Sequence, residues 1–297
     1  MTIAVSKTPL STPFYVAKAI NAFDDTCASV DYHAVMGGQI AFEQVMDGTV
    51  DFATSSDSVI AFQSLTNYAF VTHAMFSQSD NDVKLITRSS DKIKSAMDLK
   101  GKKVGVVKST ASEYLLSTLL AIEGLTMDNV ELYDYKPEQL IQGFSNGEVD
   151  VIVPWEPFAF KALQLLGNKI KIHDTRSLNT LSFNLISQTA DSVLVEKAKC
   201  VIQGLQTAMN YIASHPEESK KIVIEELNLD PTFIDWVWPD YIFKLGLNQS
   251  LILNIKYQAI WAVENQMSEF RKTPNSERFV DSRALLQVEP GAVNIAL

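Results

Sequence analysis

Two stretches rich in hydroxyl side chains stand where a predicted strand gives way to a predicted helix. They are Ser11-Thr12-Pro13 and Ser109-Thr110-Ala111-Ser112. The first turn of a helix presents free backbone N–H groups and a partial positive charge, which suit sulfonate, carboxylate or phosphate groups. Helix capping alone would also explain one such stretch. Two of them at matching positions of a repeated pattern favour a ligand-binding role.

Two acidic residues follow the central predicted strands of the same repeated pattern. Asp57 comes after Ser56, and Glu156 stands in Pro154-Trp155-Glu156-Pro157. Either carboxylate could accept hydrogen bonds from a ligand or balance a ligand amine, and Trp155 could stack against it. The alternatives are that Asp57 caps the next helix and that Trp155 packs in the hinge. The two prolines give Glu156 a defined direction, which favours a pocket role for it.

A glycine pair opens the second predicted helix of the first repeat, in Gly37-Gly38-Gln39. Glycine has no Cβ, so the backbone here could approach a ligand closely. A simple tight turn explains the pair equally well, and both interpretations stay open.

The sequence carries no residue pattern typical of an enzyme or a metal site. GxSxG, HExxH and P-loop motifs are absent. The two cysteines, Cys27 and Cys200, form no CxxC motif, so two ordinary thiols and a single disulfide both remain open. The four histidines are scattered without a partner at metal or triad spacing: His33, His73, His173 and His215. We therefore expect no catalytic residues, no metal ligands and no cofactor.

The elements that carry the candidate residues occur twice. Residues 41–57 read AFEQVMDGTVDFATSSD, and residues 140–156 read LIQGFSNGEVDVIVPWE. Each segment predicts a helix, a stop at glycine, a short apolar strand and a polar loop that ends in an acid. In α/β units of this kind the loops after the strands face a ligand crevice. Each segment is preceded by a predicted strand and helix: Thr2–Val5 with Ser11–Phe23, and Lys103–Val107 with Ser109–Glu123.

This duplication predicts an α/β fold with two Rossmann-like lobes. The first lobe is expected to combine residues 1–87 and 181–297, and the second to comprise residues 88–180. The chain would cross between the lobes twice, which forms a double-crossover hinge that could close on a ligand. From Leu194 onward the chain is predicted to be almost all helical.

Composition excludes several function classes. The chain has 297 residues, 46% of them hydrophobic, and a formal net charge of -10. This charge argues against nucleic acid or an anionic membrane as the main partner, because both attract basic patches. No apolar run approaches the ~20 residues of a membrane span. The sequence also starts directly in a predicted strand, so we expect either a cytoplasmic protein or one whose leader is missing.

Several motifs resemble the type II periplasmic solute-binding proteins, in the branch that serves nitrate, sulfonate, taurine and thiamine-pyrimidine uptake. The most specific are DLKGKKVGVVKSTASEY at 98–114 and GEVDVIVPWEPF at 147–158. The segments TPLSTPFYVAKAINAF, GTVDFATSSDS and ALLQVEPGAVNI resemble the same family. The resemblance covers essentially the whole chain.

The resemblance implies a function and a set of partners. It implies a monomeric protein with the periplasmic-binding-protein type II fold, which holds a small ligand between its lobes and hands it to an ABC permease. It further implies a periplasmic or extracellular-facing location. The ligand-binding residues it implies are Leu10, Ser11, Thr12, Gly38, Gln39, Ser56, Asp57, Ser109, Thr110, Ala111, Ser112, Trp155 and Glu156.

One departure from the family concerns the ligand. The family usually has Gly-Ser-Thr-Ala at the second of the two helix starts, and here the glycine is missing. This departure, and two acids without an arginine in the pocket loops, favour a neutral or amine-bearing ligand over an inorganic anion. Two alternatives stay open, namely a ligand-sensing domain of a membrane receptor and an enzyme on the same scaffold, such as a pyrimidine synthase.

Overall fold

The computed structural model describes residues 1–24, 26, 29–269 and 272–295, and the chain divides into two compact units. Unit 1 comprises residues 1–78 and 181–297, and unit 2 comprises residues 79–180. The chain thus passes from unit 1 to unit 2 and back once. Unit 2 begins earlier than the sequence predicts, at Ser79, because the strand at residues 85–88 pairs within the sheet of unit 2.

The secondary structure alternates between strands and helices over most of the chain. The strands are β1 (Thr2–Ser6), β2 (Asp31–Val35), β3 (Phe52–Ser56), β4 (Val71–Ser79), β5 (Leu85–Arg88), β6 (Lys103–Val106), β7 (Glu131–Asp134), β8 (Val151–Ile152), β9 (Ile170–His173), β10 (Leu181–Ser187), β11 (Tyr241–Asn248) and β12 (Val293–Asn294). The α-helices are α1 (Thr12–Ala19), α2 (Gly38–Met46), α3 (Asp57–Gln63), α4 (Ala111–Ile122), α5 (Pro137–Ser145), α6 (Phe158–Leu166), α7 (Ser192–Ser214), α8 (Pro216–Leu227), α9 (Pro231–Val237), α10 (Gln249–Glu264) and α11 (Arg283–Val288).

Unit 1 is built on a mixed sheet with the strand order β12-β11-β4-β10-β3-β1-β2. Strand β1 runs parallel to β2 and β3, and β10 runs antiparallel to β3. The apolar residues of β1, Ile3 to Val5, are fully buried, as expected for a strand covered on both faces. The carboxyl ends of β1 and β3 and the start of β10 therefore lie at the same edge of the sheet.

Unit 2 is built on a smaller sheet with the order β7-β6-β8-β5-β9. Strand β6 runs parallel to β7 and β8, whereas β5 runs antiparallel to β8 and β9. Val104 and Val106 of β6 pack with Leu115 and Leu116 of α4 in one buried apolar cluster. This packing places the start of α4 directly after the end of β6.

The two glycines of the duplicated pattern each follow a helix, as the sequence predicts. Gly48 follows α2 with φ +78°, and Gly147 follows α5 with φ +79°. Both backbones lie in the left-handed region, which glycine adopts without a steric penalty. Each glycine turns the chain toward the next strand, β3 in unit 1 and β8 in unit 2.

Two predicted elements differ from the structure. Helix α1 ends at Ala19 rather than Phe23, because Asn21 has φ +54° and so leaves the helical conformation. The prediction of an almost wholly helical chain after Leu194 is wrong for β11, which joins the large sheet. Its alternating Tyr241, Phe243, Leu245 and Leu247 are the period-two signal that indicates this strand.

Among the residues that the structure describes, no helix is both long enough and apolar enough to cross a membrane.

Candidate ligand-binding site

The first candidate stretch leads from β1 into α1. Leu10, Ser11 and Thr12 are all buried. The N–H of Ser11 donates to the carbonyl of Thr8 at 2.9 Å, and the N–H of Thr12 donates to the carbonyl of Pro9. The proline that follows Thr12 has no N–H. The sequence predicts that these backbone N–H groups bind an anion. In the structure they donate to backbone carbonyls of the same chain instead.

Two hydroxyl groups at this edge of the unit 1 sheet have no hydrogen-bond partner among the described residues. They are Ser11 Oγ, before α1, and Ser58 Oγ, in the first turn of α3. The ends of the two preceding strands adjoin, because the N–H of Ser6 donates to Thr54 Oγ1 at 2.8 Å. A buried hydroxyl without a partner costs free energy on folding. Both oxygens therefore keep hydrogen-bonding capacity that the described residues do not use.

Asp57 lies at the start of α3 and is fully buried, which places it away from solvent. Its Oδ1 accepts the N–H of Ser182 at 3.0 Å, and its Oδ2 accepts Gln258 Nε2 at 2.8 Å and Asn254 Nδ2 at 2.5 Å. Burial raises the pKa of Asp57 to about 6, although these donors favour the charged form. The carboxylate thus joins α3, β10 and α10, which is a different role from the ligand acceptor suggested by the sequence.

Two buried amide side chains bond to the same region of unit 1. Asn184 of β10 donates from Nδ2 to the carbonyls of Ser55 and Ser182, at 3.2 and 3.3 Å. Gln258 of α10 donates from Nε2 to Asp57, as described above. Within the described part of the chain, neither Asn184 Oδ1 nor Gln258 Oε1 has a hydrogen-bond partner. Two acceptor oxygens are thus unsatisfied, one in the middle of β10 and one on the buried face of α10.

The glycine pair and the end of β3 lie against each other. A Cβ on Gly38 would come within 3.2 Å of Ser55 Cα, so the close approach that requires glycine is to β3. Gln39 is exposed, and its amide joins Glu43 at 2.8 Å and Gln63 at 3.2 Å. Ser56 caps α3, where its Oγ accepts the N–H of Val59. Gly38, Gln39 and Ser56 each keep some exposed surface.

The second candidate stretch opens α4 in unit 2. Thr110 is the N-cap and accepts the N–H of Ser112 at 3.2 Å. Ser112 is buried, and its hydroxyl donates to the carbonyl of Val153 at 2.5 Å. Ala111 is almost buried, whereas Ser109 is exposed. Ser109 has φ +56°, so a serine adopts the left-handed conformation that glycine adopts most easily.

Two carboxylates of unit 2 occupy the backbone donors before α4. Glu113 Oε2 accepts the N–H of Ser109 at 2.7 Å, and Asp134 Oδ1 accepts the N–H of Lys108 at 3.1 Å. Burial raises the pKa of Glu113, and the bond to Ser109 partly opposes this shift. A carboxylate at a helix start occupies the place at which an anionic ligand would bind. The expected anion-binding role of this helix start is therefore disfavoured.

Trp155 and Glu156 are part of the interior of unit 2. Trp155 packs edge-to-face on Phe158, with ring centroids 6.0 Å apart. Glu156 is almost buried, and its Oε2 accepts the N–H of Phe160 at 3.0 Å. Its Oε1 lies 4.0 Å from the ammonium nitrogen of Lys84, which is buried as well. Packing and charge pairing within unit 2 therefore explain the Trp-Glu pair.

The histidines and cysteines give no catalytic arrangement in the part of the chain that is described. Among its residues, no group of three or more His, Cys, Asp or Glu could hold a metal ion. His73 is buried and bonds to Ser187 Oγ at 2.7 Å. Cys200 is disulfide-bonded, so the interpretation as an ordinary thiol is wrong for this residue. Cys27 lies outside the described residues.

Three residues at the edge of the unit 1 sheet were not predicted from the sequence: Ser58, Asn184 and Gln258. Asn184 is a single amide inside the apolar strand LSFNLIS, and Gln258 lies on the buried face of α10. A lone amide among apolar neighbours is a usable signal, because burial of an amide requires hydrogen-bond partners. The hydroxyl of Ser58 gives no comparable signal, because serine is common in the first turn of a helix.

The profile of one protein family, described as NMT1/THI5 like, matches residues 8–219 of the chain. The chain belongs to this family. The matched residues include the candidate positions of both units, which confirms the resemblance stated from the sequence motifs.

Curated relatives are similar over part of their length. A protein of Brucella abortus (strain 2308), named as a binding protein, is 23% identical over 141 residues, or 46% of this chain and 44% of the relative. The taurine-binding periplasmic protein of Escherichia coli (strain K12) is 25% identical over 153 residues, or 51% of this chain and 47% of the relative. The chain thus matches about half the length of these relatives.

The fold has a close counterpart among solved structures. The periplasmic aliphatic sulphonate binding protein SsuA from Escherichia coli superposes with a TM-score of 0.79 at 18% identity. The alignment covers 95% of this chain and 92% of SsuA. This similarity confirms the predicted α/β periplasmic-binding-protein fold with two sheets.

Proposed function

We propose that this protein is the solute-binding component of an ABC importer and captures a small polar organic ligand. Membership of the NMT1/THI5-like family supports the proposal, as does similarity to proteins named for taurine and sulphonate binding. In this role the protein releases the ligand unchanged and has no catalytic residues. We further propose that it acts as a monomer on the periplasmic or extracellular side of a membrane and delivers the ligand to a permease.

The observation that carries the proposal is the unsatisfied hydroxyl of Ser11. It is fully buried, follows the end of β1, and has no hydrogen-bond partner in the described part of the protein. Folding normally pairs buried polar atoms, so a buried orphan at the edge where α/β proteins bind ligands favours a ligand partner.

The other candidate residues divide into two groups. The ones with exposed surface are proposed to contact the ligand directly: Gly38, Gln39 and Ser56 in unit 1, and Ser109 and Thr110 in unit 2. The buried ones are proposed to shape these contacts from behind, together with the half-buried Trp155: Leu10, Thr12, Asp57, Ala111, Ser112 and Glu156. The contacts described above for Thr12, Asp57, Ser112, Trp155 and Glu156 all lie within the residue's own unit.

Native mass spectrometry of the purified full chain tests the proposal most directly. We expect a small organic molecule to accompany the protein and to exchange intact. A thermal-shift panel of taurine, ethanesulfonate, nitrate and 4-aminopyrimidine follows. A ligand at 100-fold its Kd adds about 2.7 kcal/mol to the free energy of unfolding. Conversion of the bound molecule, or the lack of any bound molecule and any shift, would contradict the proposal.

A pair of serine variants tests the role of Ser11. Ser11→Ala removes a buried hydroxyl that has no protein partner among the described residues, so we expect the free energy of unfolding to rise by about 1 kcal/mol and the molecule found above to bind more weakly. Ser64→Ala is the matched control, because this buried serine lies outside the candidate site and its hydroxyl donates to the carbonyl of Ala61 at 2.6 Å. This control is expected to lose about 1 kcal/mol of stability. Unchanged affinity in Ser11→Ala would remove Ser11 from the site.

A further inference from the structure

A small polar network lies inside unit 1 at the edge where β3 ends and β10 begins. Its members come from four elements: Ser55 on β3, Asp57 at the start of α3, Ser182 and Asn184 on β10, and Gln258 on α10. Asp57, Asn184 and Gln258 are at most 1% exposed. Buried polar groups in such a network are normally all bonded.

The orientation of both amides in this network is fixed by their donor atoms. Asn184 Nδ2 faces two carbonyl oxygens and the hydroxyl of Ser182, all within 3.3 Å. Gln258 Nε2 faces the Asp57 carboxylate at 2.8 Å. Exchanging N and O in either amide would set oxygen against oxygen, so the donors cannot be the free groups. The free groups are therefore the two amide oxygens.

The unsatisfied atoms of the network are thus hydrogen-bond acceptors. Asn184 Oδ1 and Gln258 Oε1 have no partner among the described residues, and both belong to side chains that cannot turn away. An acceptor oxygen pairs with N–H or O–H groups and repels the oxygens of an anion. The neighbouring Asp57 carboxylate adds a negative charge to the same region. A ligand group that suits this environment donates hydrogen bonds and is neutral or positively charged.

We infer that the network around Asn184 and Gln258 binds the hydrogen-bond-donating end of the ligand, an amino or amidine-like N–H group, and selects ligands that carry it. This inference rests on the proposed function and narrows it to amino-bearing solutes. It is independent of α4 in unit 2, where Glu113 and Asp134 occupy backbone donors that an anion would use.

Matched ligand pairs test the inference on the intact wild-type chain. The pairs are taurine with ethanesulfonate, and 4-aminopyrimidine with pyrimidine, and each pair differs by one amino group. Isothermal titration calorimetry is expected to show at least tenfold tighter binding of the amino-bearing member in whichever pair binds. Equal binding of the two members, or a co-purified solute without N–H groups, overturns the inference while the proposed function stands. The lack of any bound solute overturns the proposed function itself.

Protein variants test whether Asn184 and Gln258 produce the preference for the amino-bearing ligand. Gln258→Met and Asn184→Leu each remove one acceptor oxygen, so the affinity ratio within the binding pair is expected to fall toward one. Gln203→Met, in a half-buried glutamine of α7, is the matched control and is expected to keep the ratio. Circular dichroism confirms folding of each variant. If a folded Gln258→Met or Asn184→Leu protein keeps the full ratio, the network does not select the ligand.

Discussion

Glu113 Oε2 lies 2.7 Å from the backbone nitrogen of Ser109 and so holds the loop that opens α4. The bond occupies an N–H group and sets a carboxylate at the positive end of the helix. It also helps to keep Ser109 at φ +56°, a conformation that L-residues other than glycine seldom adopt. The contact therefore bears on two measurable properties of unit 2. One is the affinity of the start of α4 for anions, and the other is the free-energy cost of the positive φ at Ser109.

The first prediction concerns anion binding at the start of α4. Glu113→Gln keeps an acceptor for the N–H of Ser109 and removes the negative charge. We expect sulfate, used as the probe, to bind about fivefold more tightly, which corresponds to about 1 kcal/mol of charge–dipole energy. Isothermal titration calorimetry measures the change. Glu123→Gln, at the opposite end of α4, is the control and should leave sulfate affinity unchanged. Equal sulfate affinity of Glu113→Gln and the wild type would contradict the prediction.

The second prediction concerns backbone strain at Ser109. Ser109→Gly should raise the free energy of unfolding by about 0.5–1 kcal/mol, because glycine adopts a positive φ without a Cβ clash. Urea unfolding measures the effect. Ser145→Gly, at the last residue of α5 where φ is not positive, is the control and should lower the same quantity by about 0.5 kcal/mol. A destabilised Ser109→Gly protein would show that the serine side chain contributes more than the backbone costs.

The sequence predicted the fold well, because its signals are local. The duplicated helix–glycine–strand pattern predicted an α/β architecture for both units. Gly48 and Gly147 adopt the predicted left-handed conformation. The boundary at Ser79 was missed because β5 pairs with β8 and β9, which are distant in sequence. Strand β11 was missed because the helices on both sides of it dominate the pattern.

The candidate site was harder to predict, because its chemistry depends on partners that sequence spacing does not show. Asp57 and Glu156 follow strands, as expected, yet both carboxylates bond within their own units. Ser11 was predicted for its position at a helix start, and its hydroxyl is indeed without a partner among the described residues. Asn184 lies in a predicted strand and Gln258 in a predicted helix. Only the structure shows that their amide nitrogens are bonded and that their amide oxygens have no partner among the described residues.

The third prediction concerns the buried pair in unit 2. Glu156→Ala removes the acceptor of the Phe160 N–H and the carboxylate 4.0 Å from Lys84. We expect the free energy of unfolding to fall by about 3 kcal/mol, because one charge of a buried pair is left behind. Chemical denaturation measures the loss. Glu148→Ala, in an exposed residue bonded to Tyr135, should cost at most about 1 kcal/mol. Equal stability of the two variants would show that Glu156 is not needed for folding.

The fourth prediction concerns the pH dependence of stability that Asp57 produces. Burial raises the pKa of Asp57 to about 6, from 3.8 in the unfolded chain. The stability that the protonated carboxyl contributes is present below pH 3.8 and is lost as the pH rises through 6. Asp57→Asn does not titrate, so its stability relative to wild type should rise by about 2 kcal/mol between pH 4 and pH 6.5. Urea unfolding at several pH values measures this difference. A constant difference across the range would mean that the carboxyl pKa is normal.

The fifth prediction concerns His73, whose titration acts in the opposite direction. Burial lowers its pKa to about 4, from 6.5 in the unfolded chain, while Asp281 raises it and Arg283 lowers it. The stability that the neutral imidazole contributes is present above pH 6.5 and is lost as the pH falls through 4. His73→Phe should therefore gain about 3 kcal/mol relative to wild type between pH 6.5 and pH 4, as urea unfolding measures it. If the His73→Phe difference does not depend on pH, the imidazole has the same pKa in the folded and unfolded protein.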